Sequence, residues 1–278
     1  MRAKKAYAIV IGSGLLKGKH PRCTADLKSA DKDAQAMAAF AEKRGFVLVG
    51  PDGTQAPFLS EQAKKNDIMG AVTNVATELE DGDILLFFYS GHGATLPVAE
   101  GSSFQQQRET WSLLDGRLWD LEWDHLMGEF KSGVRLVLVS DSCYSGGFGP
   151  PEAMDPRETK ASDCSITKVL RGDCFKDYAT DSVKEFARLK AALGEKPPLR
   201  ARALLLAACQ ANQLACAEPE YGHFTHALLE VVDIPNLSYK AFYRQVRRKF
   251  AGRSTQSPFW WLAGPGSHAF PDEDAFQP

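Results

Sequence analysis

The sequence predicts an α/β protein built on a central, mostly parallel sheet with helices on both faces. Three observations carry that prediction. The aliphatic and β-branched runs Ala6 to Ile11, Ile84 to Tyr89 and Val134 to Val139 lack polar alternation, as strands buried on both faces do. Segments with helical spacing separate the first two runs, which is what crossovers between parallel strands need. Two of the runs end in polar, glycine-rich tips, Ser90-Gly91-His92-Gly93 and Ser140-Asp141-Ser142-Cys143, followed by Tyr144-Ser145-Gly146-Gly147. Open α/β sheets keep their ligands at such strand ends.

In chain order, Ala6 to Ile11 runs into Gly12-Ser13-Gly14, and Gly18 completes a GxGxxxG spacing. As a dinucleotide signature this is weak, because Lys19-His20-Pro21-Arg22 is loop chemistry where a helix should begin. Leu27 to Arg44 sets Ala34, Met37, Ala38 and Ala41 at helical spacing, with Ser29 or Asp31 as start signals and Gly45 as the stop. Val47-Leu48-Val49 is a short strand, and Ser60 caps a second helix through Ile68, Val72, Val75 and Leu79. Residues 94–110 read as surface loop, Trp111 to Leu114 as a short strand and Asp120 to Phe130 as a helix. From Gly149 to about Lys196 the pattern breaks into prolines and scattered charge around one helix, Ser182 to Leu193. A long irregular insert of this kind is usually functional or mobile. Arg202 to Cys209 resumes as a core strand, His223 to Val232 and Ser238 to Phe250 read as helices, and Phe259 to Leu262 as a last strand.

At 278 residues with 44% hydrophobic and 24% charged residues, the chain has the composition of a soluble globular protein. A formal net charge of -2 gives no global pull toward nucleic acid or an anionic membrane. No run approaches the ~20 apolar residues that span a bilayer, and the short apolar start lacks a signal-peptide cleavage site. The six cysteines (Cys23, Cys143, Cys164, Cys174, Cys209, Cys216) contain no CxxC pair, so a cytoplasmic protein with reduced thiols is expected. Trp111, Trp119, Trp123, Trp260 and Trp261 read as core or cleft walls, since no basic stripe accompanies them.

The chemistry is concentrated at the two strand tips. One helix-containing segment separates them, so His92 and Cys143 face each other if their strands are neighbours. A thiol with an ordinary pKa of ~8.5 is mostly protonated at neutral pH and needs a base. An imidazole can take that proton and later deliver it to a leaving group. The Gly93 and Cys143 amides are the natural donors to an oxyanion. Singly, His92 reads as a loop histidine and Cys143 as a small buried apolar residue. Jointly, their glycine flanks and matched positions point to catalysis.

Tyr89-Ser90-Gly91-His92-Gly93 and Asp141-Ser142-Cys143-Tyr144-Ser145-Gly146-Gly147 resemble the histidine and cysteine motifs of caspase-like peptidases. The metacaspase and bacterial orthocaspase branch is the nearer one. Leu27 to Ala34, Ala207-Ala208-Cys209-Gln210, Gly222-His223-Phe224-Thr225 and Gln256-Ser257-Pro258 extend the resemblance nearly end to end. It implies a caspase-hemoglobinase fold over 1–278. About 1–148 would be the large-subunit-like part, 149–200 a linker and 201–278 the small-subunit-like part. It also implies His92 as base and Cys143 as nucleophile, with a primary specificity pocket lined by Asp33, Ser90 and Asp141. Carboxylates at the floor of a desolvated pocket call for a cation, arginine above all. Linker processing in the family would map to Lys160, Lys168 or Arg171.

Departures from the family pattern bear on the metal. Many metacaspases bind calcium through clustered aspartates, whereas this chain offers Glu109, Asp115, Asp120, Glu122 and Asp124 before the cysteine and no acid over 146–151. A hard-cation site needs several converging oxygens, so no cofactor is expected and calcium activation is set aside. The combined reading is a cysteine endopeptidase cutting after Arg or Lys, regulated by cleavage or movement of 149–200. Its partners are protein or peptide substrates and an upstream activating protease, not nucleic acid or membrane. The competing readings are a catalytically silent scaffold using the same cleft, and a nucleotide-binding protein using Gly12 to Gly18.

Overall fold

The computed structural model describes residues 2–16, 27–101, 107–145, 164, 166–253 and 256–278. In chain order, β1 (Ala6–Ser13) leads to α1 (Lys28–Lys43), the short strands β2 (Val47–Leu48) and β3 (Phe58–Leu59), and α2 (Lys65–Glu78). Then come β4 (Ile84–Gly91), β5 (Gly93–Pro97), β6 (Gln107–Leu113), β7 (Gly116–Trp119), α3 (Asp120–Gly128) and β8 (Arg135–Asp141). The remainder is β9 (Ile166–Thr167), α4 (Gly172–Ala179), α5 (Ser182–Leu193), β10 (Arg202–Ala207), β11 (Cys216–Ala217), α6 (His223–Val232), α7 (Tyr239–Arg248) and β12 (Phe259–Ala263).

The main sheet has the order β12-β10-β8-β4-β1-β2, with β3 also pairing to β1. Every pairing in it is parallel except that of β12, which closes one edge antiparallel. The central strands are buried along their whole length because each face is covered. Val10, Leu86, Phe88, Val137, Leu204 and Leu206 share a cluster with Met37 of α1, Phe224 of α6 and Phe242 of α7. Their neighbours Ile9, Leu85, Phe87, Leu136, Leu138 and Leu205 join Ile68 and Val72 of α2 and Trp123 and Leu126 of α3. The period-two split of adjacent residues between two apolar clusters is why these runs carry no polar alternation.

Several expectations are met closely. α5 and α6 have the predicted bounds, and α7 begins after Ser238, whose hydroxyl accepts the Ala241 N–H at 3.3 Å. Others need correction. Residues 94–97 and 107–110 are not loop: with the expected strand at Trp111 they form β5 and β6, two strands of a second, three-stranded sheet with β7 beside the His92 tip. Ser60 does not cap α2, which starts only at Lys65; its hydroxyl and N–H instead go to the Asp31 carboxylate. α1 has no side-chain cap, so neither Ser29 nor Asp31 plays that part. The first glycines serve packing. A Cβ on Gly12 would lie 2.6 Å from the Ala30 carbonyl oxygen, so the residue lets α1 press onto β1, while Gly18 of the proposed nucleotide loop lies outside the described residues. Cys164 and Cys216 form a disulfide across 52 positions, against the expectation of reduced thiols; no local spacing announces such a pair. No helix among the described residues is long and apolar enough to cross a membrane.

Candidate active site

β4 and β8 are paired in parallel with Ser90 opposite Asp141, so His92 and Cys143 both lie two residues beyond that pair, at the same sheet edge. Their tips are in close contact. A Cβ on Gly93 would fall 2.1 Å from the Cys143 carbonyl oxygen, so only glycine fits beside the cysteine turn. The chain reverses at Tyr144, whose φ of 59° is left-handed, a costly setting for an aromatic residue. Local bonds hold it there. The Tyr144 N–H donates to Gln213 O at 3.1 Å, and the Cys209 N–H to the Ser145 hydroxyl at 3.3 Å. Cys209 thus buttresses the turn, in line with its expected packing role.

Below the two tips lies a fully buried polar cluster. Asp33 comes from α1, Ser90 from β4 and Asp141 from β8, and all three have no exposed surface. The Ser90 hydroxyl donates to Asp33 at 2.7 Å. The start of α6 supplies further donors: Gly222 N–H to Asp33 at 2.9 Å, and the N–H and hydroxyl of Thr225 to Asp141 at 3.0 and 2.7 Å. The positive end of that helix lies against the carboxylates and offsets part of their burial. Gly222 forms the wall. A Cβ there would be 2.2 Å from an Asp141 oxygen.

The pocket is filled by Lys168, which follows β9. Its ammonium lies 2.9 Å from Asp33, 3.0 Å from Asp141 and 2.8 Å from the Ser90 hydroxyl, with none of its surface exposed. Burial opposes the charge, but Asp141 and Asp33 more than compensate and raise the Lys168 pKa. Burial likewise pushes the Asp33 carboxyl upward, against the pull of Lys168. The backbone of this segment is held as firmly. Its N–H donates to Ala215 O at 3.0 Å, β9 pairs antiparallel with β11, and the Gly93 N–H donates to Lys168 O at 3.1 Å. One of the two expected oxyanion donors therefore binds the carbonyl of the residue whose side chain fills the acidic pocket.

The side chains of Cys143 and His92 are less well provided for. Cys143 Sγ accepts the Ala215 N–H at 3.2 Å and is buried. Burial, with Cys209 beside it, raises its pKa well above the ordinary thiol value. His92 is nearly buried and its Nδ1 makes no hydrogen bond among the described residues. Burial and the Lys168 charge bring its pKa down to about 4. Both shifts favour the uncharged forms, a neutral imidazole and a protonated thiol.

The remaining expected residues fall elsewhere. Lys160 lies outside the described residues. Lys168 is not a solvated linker lysine, and Arg171 is exposed at the start of α4. The acids considered for calcium are dispersed. Asp115 accepts from Lys65 N–H, Asp120 pairs with Arg108, Glu122 with Lys65 and Asp124 with Lys196. Among the described residues no group of three or more His, Cys, Asp or Glu side chains is placed to hold a metal. Ala215, Gly222, Thr225 and Tyr144 are the site residues that sequence reasoning assigned no role. Only Gly222 and Thr225 left a trace, in the Gly222-His223-Phe224-Thr225 motif.

Comparison with known proteins agrees with this geometry. A caspase-domain family model matches residues 5–265. Metacaspase-4 of Arabidopsis thaliana is 28% identical over 149 residues, 52% of this chain and 34% of that protein. Metacaspase-1A of Aspergillus niger is 30% identical over 148 residues, 51% of this chain and 36% of its own. The aligned part is thus about half of this chain and about a third of each of these two relatives. The crystal structure of a Geobacter sulfurreducens protein superposes with a TM-score of 0.80 at 29% identity, covering 98% of both chains. With the match to the family extending over nearly the whole chain, and the strand tips built as above, the chain belongs to the caspase-domain family of cysteine-type peptidases.

Proposed function

We propose that the protein is a cysteine endopeptidase that cuts after Arg or Lys and holds its own Lys168 in the substrate position. The observation that carries the proposal is the two-point seating of Lys168, ammonium in the acidic pocket and carbonyl on the Gly93 amide. Ile166 and Thr167 pair with β11 as an extended peptide substrate pairs with a strand edge. In the reaction His92 takes the Cys143 proton, and the thiolate attacks the carbonyl carbon. Gly93, with the Cys143 amide, holds the oxyanion, and His92 returns the proton to the leaving amine. Water then releases the thioacyl group. Asp33, Ser90 and Asp141 select the cation. An aspartate in this pocket would meet two carboxylates and no cation, which excludes cutting after Asp.

Arginine is the better fit of the two. Asp141 keeps one buried oxygen without a hydrogen bond while lysine is in place. A guanidinium has donors to spare for it, so arginine peptides should exceed lysine peptides by about tenfold in kcat/KM. The resting chemistry of Cys143 and His92 suits a regulated enzyme whose 149–200 segment must be cut or moved. The test is turnover of matched peptides ending in Arg, Lys or Asp by wild type and Cys143→Ala, under reduction, with calcium or chelator. Turnover of the Arg and Lys peptides by wild type alone supports the proposal. Preference for Asp, or equal rates for both proteins, overturns it.

A further inference from the structure

We infer that Cys164 and Cys216 form a thiol–disulfide site that locks the Lys168 segment into the cleft, so that small-molecule thiols control release of the pocket; the inference rests on Lys168 being the pocket's occupant. The two cysteines bracket the occupant. Cys164 stands four positions before Lys168, on the arm that runs into β9, and its side chain is partly exposed. Cys216 is buried on β11, the strand on which β9 is laid, and is directly opposite Thr167 in the register. Their Cα atoms are 5.3 Å apart, within the range a disulfide spans.

The strand carrying Cys216 is itself fixed. The Cys216 N–H donates to Gln256 at 3.1 Å, and Gln256 is buried and donates in turn to Ala208 O at 3.1 Å. Ile166 packs with Leu27, Ala30 and Ala217 on the same side. A covalent tie between such a strand and the arm keeps Lys168 at a local concentration in the millimolar range, which a peptide substrate must exceed to compete. Cleavage after Lys168 would not by itself empty the pocket. The new carboxyl end belongs to the piece that carries Cys164, and it would stay tethered beside Cys143. With the tie gone, non-covalent contacts alone retain it: the two-residue ladder, the Ala215 and Gly93 backbone bonds, the Ile166 packing and the polar contacts of the ammonium.

The exchange balances as two-electron thiol–disulfide chemistry with glutathione-type thiols. A thiolate attacks the accessible Cys164 sulfur, forming a mixed disulfide there and releasing Cys216 as a thiolate that takes up a proton. A second thiol removes the mixed disulfide, leaving two protein thiols and one small disulfide. The reverse, with the small disulfide as oxidant, restores the lock.

The test avoids the protein's own activity by using Cys143→Ala. That protein is oxidised with glutathione disulfide or reduced with glutathione, then exposed to trypsin, and cutting of the Lys168–Val169 bond is followed by mass spectrometry. The lock predicts a Cys164–Cys216 cross-linked peptide in the oxidised sample. It also predicts cutting at least tenfold slower than after reduction. The double variant Cys143→Ala, Cys164→Ser should be cut at one rate in both conditions, matching the reduced protein. Absence of the cross-link, or equal rates in oxidised and reduced Cys143→Ala, overturns the inference. Failure of the peptidase proposal is read separately, as absence of Arg-peptide turnover by reduced wild type, and does not alter the trypsin result.

Discussion

The Lys168 pocket and the proposed catalytic residues His92 and Cys143 lie at the same sheet edge and are built to different standards. Around Lys168, both carboxylates receive backbone or hydroxyl donors, and the ammonium has three oxygen partners. Around Cys143 and His92, the thiol receives one N–H, and the imidazole Nδ1 receives nothing among the described residues. A buried ion cluster needs such bonds, because desolvation otherwise outweighs the Coulombic gain, and here one Asp141 oxygen alone of the four carboxylate oxygens goes without a hydrogen bond among the described residues. Catalytic groups are under no such demand while the site is closed. The difference teaches that this fold places its polar partners around a buried cation, that of its own Lys168. On the proposed function, reactivity would develop once the occupant departs.

The sharpest way to break the comparison is on the reacting side. Cys143→Ala should lower Arg-peptide turnover by at least ~10⁴-fold while leaving the fold and the Lys168 cluster intact, as measured by kinetics and thermal melting. Next comes the pocket wall. Gly222→Ala drives a methyl into the Asp141 and Lys168 contacts, 2.2 and 2.4 Å away. It should cut kcat/KM for Arg and Lys peptides by ~10²-fold or more, an effect expected mainly in KM. Lys168→Met removes the cation and leaves its carboxylates facing each other, so the melting free energy should fall by about 3 kcal/mol. Alkylation of Cys143 by iodoacetamide should accelerate in the same variant, because the segment over the thiol is no longer held.

The smallest effect is a titration. His92 in the closed protein binds its proton at about 4, against an ordinary 6.5. Between those values the unfolded chain holds more protons than the folded one, so stability falls as the pH is lowered from about 6.5 toward 4. The upper bound is on the order of 3 kcal/mol. Asp33, whose folded pKa is raised, contributes with the opposite sign. The difference between wild type and His92→Gln therefore isolates the imidazole. Melting curves from pH 7 to 4 should show a shallower slope in the variant.

Much of this architecture was legible in the residues because buried parallel strands have no polar alternation, as in Ile84 to Tyr89 and Val134 to Val139. The shared sheet edge of His92 and Cys143 was legible because both residues follow such strands with glycine nearby. What stayed hidden depends on pairing over long distances. β5 and the first half of β6 looked like loop since Gln107, Arg108 and Glu109 carry no apolar alternation of their own. Asp33, Ser90 and Asp141 were placed in a pocket by resemblance. The α6 donors that make the pocket affordable, Gly222 and Thr225, have ordinary local sequence. Lys168 was marked as a basic residue in an irregular insert. Its burial between two carboxylates follows from tertiary contacts that no window around residue 168 contains.

The central claim, that Lys168 occupies the substrate position, is tested most directly by the ends the protein makes from itself. Purified wild type and Cys143→Ala are incubated under reducing conditions and the new termini sequenced. The account predicts a cut between Lys168 and Val169 in wild type, with Val169 as a new amino terminus, and none in Cys143→Ala. An active wild type that turns over Arg peptides yet leaves the Lys168–Val169 bond whole would contradict it.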